Sequence, residues 1–204
     1  MIEKGSEKSG PFFFALETIV LRPTVLSLTI LTSTLSACSA QLDAGEETQA
    51  ASVVGAASLL SADGSKIGVA EITNNNSVVS IAVVVDGLEP GERALHLHST
   101  GVCEAPDFAS AGGHLNPMER EHGSLNPSGQ HLGDMPNIVV DENGQSELRF
   151  AFADDPDFLA EQIFDADGTA VMIHAGPDDY MSDPAGSAGP RIACGVLEPV
   201  LPTD

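Results

Sequence analysis

The sequence predicts an all-β fold, an antiparallel sandwich or barrel of about eight strands. Three observations predict it. Short runs of apolar and β-branched residues recur from residue 51 onward. Clusters of Gly, Asn, Asp and Pro separate them, which is the turn chemistry of a many-stranded β protein. No stretch carries the period of a long amphipathic helix. Composition agrees: 42% hydrophobic residues, 20 Gly and a mean hydropathy of +0.07 suit a packed, turn-rich domain. With no Trp and 4% aromatics, the core must rest on Val, Leu, Ile and Ala.

The elements follow in order. Ala51 to Leu60 reads as a strand and is closed by Ala62-Asp63-Gly64-Ser65. Lys66 to Thr73 runs into three Asn, and Val78 to Val85 ends at Asp86-Gly87. Leu95 to His98 alternates. A long irregular stretch follows, about residues 99 to 136, rich in Gly, Pro and Asn. A structureless loop of that length needs a reason to be ordered, and bound metal supplies one. Ile138 to Val140 and Glu147 to Ala153 flank the turn Asp141-Glu142-Asn143-Gly144. Asp154 to Glu161 suits a short helical turn, Thr169 to His174 follows Asp167-Gly168, and Ile192 to Glu198 is the closing strand.

The 204 residues carry 30 Asp and Glu against 8 Lys and Arg, a formal −22. A nucleic-acid binder needs clustered Lys and Arg, and so does a protein that settles on anionic lipid by charge; the charge balance disfavours both classes. Residues 24 to 37 are uncharged, long enough for the core of a signal peptide and short for a membrane span. They end at Leu35-Ser36-Ala37-Cys38. That ending resembles a bacterial lipobox, where the signal is cut before a Cys that carries lipid. The expected layout is a lipoprotein-type signal at 1–37, a lipidated Cys38 with a flexible acidic tether at 38–50, and a folded domain at 51–204. Glu3, Glu7 and Glu17 sit awkwardly ahead of this pattern, so translation is expected to start near Val20. The leader's three acids balance Lys4, Lys8 and Arg22, and the whole −22 falls on the mature chain.

Five of the six His lie between residues 96 and 131. His96-Leu97-His98 puts two imidazoles on one face of a strand, because side chains alternate with period two. His114 sits in the loop Gly112-Gly113-His114-Leu115-Asn116-Pro117, and His122-Gly123 follows. His131 has Asp134 three residues on, and His174 ends a strand. One such His would ordinarily be exposed or satisfied in the core. Six at ligand-like positions point to metal. His with carboxylate suits zinc, and an all-imidazole set suits copper.

These motifs, with the ending Gly189-Pro190-Arg191-Ile192-Ala193-Cys194-Gly195, resemble those of bacterial copper,zinc superoxide dismutases over about residues 51 to 198. The resemblance implies a Greek-key β-barrel with long metal-binding loops and dismutation of superoxide to oxygen and hydrogen peroxide. It implies copper on His96, His98, His114 and His174, and zinc on His114, His122, His131 and Asp134. His114 would bridge the two metals, with His114 and Arg191 catalytic. Asp178 would link a copper His to a zinc His, whereas Asp179 and Asp183 read as solvated loop acids. Cys103 and Cys194 would form a disulfide in an oxidising compartment, leaving Cys38 for lipid.

The leader and its lipobox-like ending imply an exported protein, periplasmic or at the cell surface, held to the membrane through Cys38. Superoxide is the substrate, no nucleic acid is bound, and homodimer formation is left open. The charged segment Met118-Glu119-Arg120-Glu121 and the stretch Gly91-Glu92-Arg93-Ala94-Leu95 depart from the family pattern without removing a ligand. The alternative reading is a non-catalytic copper- and zinc-binding domain for metal storage or delivery. Storage requires neither a shared His114 nor Arg191.

Overall fold

The computed structural model describes residues 51–201. The expected signal, lipidated Cys38 and tether lie outside the described residues. The order of strands is β1 (Ser52–Ser61), β2 (Lys66–Asn74), β3 (Val79–Val85), β4 (Gly91–Arg93), β5 (Leu95–His98), β6 (Ile138–Val140), β7 (Ser146–Ala151), β8 (Ala170–His174), β9 (Arg191–Val196) and β10 (Glu198–Pro199). One helix, α1 (Pro156–Ile163), sits between β7 and β8. The main sheet is antiparallel in the order β5-β8-β9-β1-β2-β3-β7, with β10 also on β1, while β4 pairs with β6.

Alternation along each strand builds the core. β3 buries Val79, Ile81, Val83 and Val85 and turns Ser80, Ala82 and Val84 outward. Its neighbour β7 alternates in the same way, with Leu148 and Phe150 turned inward against the core. Fully buried Leu59, Ile72, Ile81, Leu95, Leu97 and Ile173 meet in this interior. Each contributes roughly 1.5–3 kcal/mol relative to exposure.

Strands β5 and β8 break the alternation, being buried at every position. Leu95, Leu97, Val171 and Ile173 face the core. His96, His98, Met172 and His174 take the opposite face, and residues 99–137 cover them. That loop is fastened along the free edge of β5. Leu97 N–H donates to the Gly133 carbonyl at 2.9 Å, and Leu115 N–H donates to the Leu97 carbonyl at 2.8 Å. The edge is thereby capped, and the long loop gains the backbone partners it would otherwise lack.

One sequence expectation is corrected, and one strand was not foreseen. The helix spans two turns rather than one: Asp155 accepts from the N–H groups of Asp157 and Phe158, Pro156 opens the first turn, and Leu159 and Ile163 are buried. The stretch before His96 holds strand β4, three residues too short to show a period.

Candidate metal centre

Each histidine is oriented by the nitrogen that faces away from the others. On β5, His98 Nδ1 lies 3.0 Å from the Gly112 carbonyl, and His96 Nε2 lies 3.0 Å from Asp178 Oδ2. His174, at the end of β8, holds the Gly189 carbonyl through Nδ1 at 3.0 Å. His114, from the covering loop, uses Nδ1 on Asp134 Oδ1 at 2.8 Å. The remaining nitrogens are His96 Nδ1, His98 Nε2, His114 Nε2 and His174 Nε2. All four are buried and have no hydrogen-bond partner among the described residues.

An unpartnered buried polar atom costs about 1–3 kcal/mol, so four together need an explanation. The four side chains offer ligand atoms within 4.8 Å of one another. Burial lowers the pKa of His96 to about 4 and of His98 to about 2, and lowers those of His114 and His174 as well. Four neutral imidazoles therefore turn lone pairs toward one space. That donor set fits copper.

A second cluster adjoins the first through His114. The Nδ1 atoms of His114, His122 and His131 lie 2.8, 3.0 and 3.2 Å from Asp134 Oδ1. His131 Nδ1 lies 3.3 Å from His114 Nδ1. A tetrahedron with bonds of about 2.0–2.1 Å has edges of about 3.3 Å, so three imidazoles and one carboxylate at these separations fit zinc. Asp134 Oδ2 is fixed by the N–H groups of Gly123 and His131 at 2.9 and 3.0 Å.

Asp178 ties the clusters together. Its Oδ2 lies 3.0 Å from His96 Nε2 and its Oδ1 2.9 Å from His122 Nε2, with all three side chains closed to solvent. Asn137 holds the Asp178 backbone from both sides: its Oδ1 accepts from Asp178 N–H and its Nδ2 donates to the Asp178 carbonyl. Burial alone would push the Asp178 carboxyl up. Hydrogen bonds from His122 and His96 overcome that and hold it below the usual carboxylate range. For His122, burial works downward, but the bonds to Asp134 and Asp178 raise it to about 9. Gly186, at φ +61°, leaves room for this arrangement, since a side chain there would collide with Asp178 Oδ1 and His122 Nε2.

Arg191 opens β9 opposite His174 in the β8–β9 pairing. Its Nη1 donates to the Phe108 carbonyl and its Nη2 to the Gly112 carbonyl, each at 2.6 Å. The segment that supplies those carbonyls is tied to β9 by the Cys103–Cys194 disulfide, whose partners are 91 residues apart in sequence.

The structure thus brings His96, His98, His114, His174, His122, His131, Asp134, Asp178 and Arg191 into one region and pairs Cys103 with Cys194. One sequence reading changes. Asp183 is not merely a solvated acid, because its Oδ1 accepts the backbone N–H of His122 at 2.8 Å. Asp179 stays exposed, and its carboxylate accepts from the N–H groups of Met181 and Ser182. Sequence reasoning also missed the carbonyls of Phe108, Gly112 and Gly189. A backbone acceptor leaves no mark in residue identity, so no signal could have found them. Arg93 was missed as an anchor: Nη1 donates to the carbonyl of Ala175, next to His174, and Nη2 to that of Glu89.

Comparison with known proteins gives a consistent picture. A family model described as copper/zinc superoxide dismutase matches residues 66–197. Superoxide dismutase [Cu-Zn] 1 of Aquifex aeolicus is 47% identical over 145 residues, covering 70% of this chain and 86% of the relative. The superoxide dismutase [Cu-Zn] of Caulobacter vibrioides is 36% identical over 146 residues, 67% of this chain and 80% of the relative. Among solved structures, a dismutase-like protein from Bacillus subtilis is similar at a TM-score of 0.65 and 35% identity, covering 73% of this chain and all of that one. The Cu/Zn superoxide dismutase from Brucella abortus gives a TM-score of 0.57 at 28% identity, covering 70% of this chain and 98% of that one.

Proposed function

The chain belongs to the copper/zinc superoxide dismutase family, and from that premise we propose that it converts two superoxide anions and two protons to oxygen and hydrogen peroxide outside the cytoplasm. Its enzyme class is that of an oxidoreductase using copper and zinc. The observation that carries the reading is the set of four unpartnered imidazole nitrogens beside a three-His, one-Asp cluster, with His114 in both.

In this reading His96, His98, His114 and His174 would hold copper, and His114, His122, His131 and Asp134 would hold zinc. Copper held there would supply a one-electron couple for the two half-reactions of superoxide, whereas zinc would add no redox change of its own. The chain's residues do the rest. His114 keeps Nδ1 in the zinc cluster while Nε2 takes up a proton and passes it to the second superoxide. A second proton comes from water. The carbonyls of Gly112 and Gly189 and the carboxylate of Asp178 fix the ring planes of His98, His174 and His96, so little reorganisation accompanies electron transfer. The Arg191 guanidinium, held over the site by two carbonyls, draws and orients the anion against a net charge of −22.

A lipobox-like leader and a disulfide support export, with Cys38 as the membrane anchor. The reading is tested by the decay of superoxide with metal-loaded wild type and with His96→Ala. Fast decay with wild type and loss of both copper and activity in the variant is expected. Equal decay in both would overturn it.

A further inference from the structure

Only five basic residues follow the leader: Lys66, Arg93, Arg120, Arg149 and Arg191. Arg149 pairs with Glu147 at 3.0 Å. Arg191 forms no ion pair among the described residues, because its nitrogens spend their bonds on two neutral carbonyls. Its charge is therefore available to an incoming anion, and whatever lies beside it sets how much of that charge the anion meets.

What lies beside it is an acid. A surface pocket is lined by Pro106, Asp107, Ala109, Gly189, Pro190 and Arg191. The Gly189 carbonyl holds His174, so this pocket abuts the His96–His174 cluster. Asp107 is exposed, and its Oδ1 accepts the Ala109 N–H at 3.1 Å. The next residue, Phe108, is 2% exposed and gives Arg191 its carbonyl. Asp107 is thus fastened to the same segment that holds the guanidinium. Burial pulls the Arg191 pKa below its ordinary value and the Asp107 charge works against that pull, so the two charges feel one another.

We infer that Asp107 is a rate-setting residue of the anion entrance: its carboxylate cancels part of the Arg191 field and holds anion capture below what the site could reach. This rests on the dismutase reading for its substrate, although the field acts on any small anion.

The test is Asp107→Asn in the copper- and zinc-loaded protein. Asn keeps an Oδ1 to accept the Ala109 N–H, so the loop geometry is retained. At low ionic strength kcat/KM should rise about two-fold, the effect of one unit charge acting through water over about 10 Å. Asp107→Lys should roughly square that gain. The gain should shrink toward unity as salt is raised. Glu142→Gln, in the β6–β7 turn, should leave the rate unchanged. Azide titration, followed by the copper absorption band, should tighten by the same factor without any turnover. An Asp107→Asn rate and azide affinity equal to wild type at low salt would overturn the inference, and so would a gain that persists at high salt. If the wild type failed to consume superoxide, the dismutase reading would fall while azide affinity still decided the role of Asp107.

Discussion

His98 and Arg191 hang from the same atom. The Gly112 carbonyl is 3.0 Å from His98 Nδ1 and accepts from Arg191 Nη2 at 2.6 Å. One peptide group therefore sets both the plane of a predicted copper ligand and the position of the cation beside it.

Reversing that cation should cripple capture without emptying the site. Arg191→Glu is expected to lower kcat/KM at least ten-fold at low ionic strength, while copper and zinc contents stay near native. Arg191→Lys keeps the charge but has no planar fork to span two carbonyls, so an intermediate rate is expected. Rates measured across a salt series, beside metal analysis of the same samples, check this. Unchanged kinetics in Arg191→Glu would remove the residue from the mechanism.

Asp178 joins His96 to His122 with both oxygens in use. Asp178→Asn keeps the shape but can accept through one oxygen only, so one of the two rings loses its orienting partner. Zinc affinity should fall about 10- to 100-fold. Competition with a colorimetric chelator measures it, and an affinity equal to wild type would show that Asp178 orients neither ring.

Much of this centre was legible because its side chains are chemically distinctive and obey strand periodicity. His96 and His98 read as one face of a strand, and the structure places them there, with Leu95 and Leu97 on the other. Asp178 was legible only through family resemblance, since it lies 56 residues from His122 in sequence. Asp183 looked like one loop acid among many until the fold set it against the His122 N–H. Strand β4 was too short to carry a period. The carbonyls of Phe108, Gly112 and Gly189 were beyond reach, because every residue has a carbonyl and only the fold decides where it points.

The metal-free protein should be most stable near pH 6.5. His96 and His98 have folded pKa values of about 4 and about 2, below the unfolded value of about 6.5. The unfolded chain takes up protons that these two refuse, so stability declines as pH falls from 6.5 through the folded values. His122 works in the other direction. Raised to about 9, it stabilises fully below 6.5, and that contribution is lost as pH rises toward 9. Added zinc takes the place of the His122 proton and should abolish the alkaline decline. Urea midpoints from pH 4 to 9, with and without zinc, read both limbs. A metal-free midpoint that does not change with pH would contradict the assignment.

The Cys103–Cys194 bridge closes a loop of about ninety residues and should stabilise the fold by about 4–5 kcal/mol on the chain-entropy model. Because it also fastens the Phe108 segment to the strand of Arg191, Cys103→Ser should lower the unfolding midpoint and the rate together. Denaturant unfolding and superoxide decay on one preparation check the pair. Loss of stability with full activity would separate the disulfide from the positioning of Arg191.

The most direct test counts metals and activity on one sample. Purified protein loaded with both metals should carry one copper and one zinc per chain and consume superoxide, and selective removal of copper should abolish the activity while zinc remains. Zinc in both clusters with no superoxide consumption after copper loading would contradict the account.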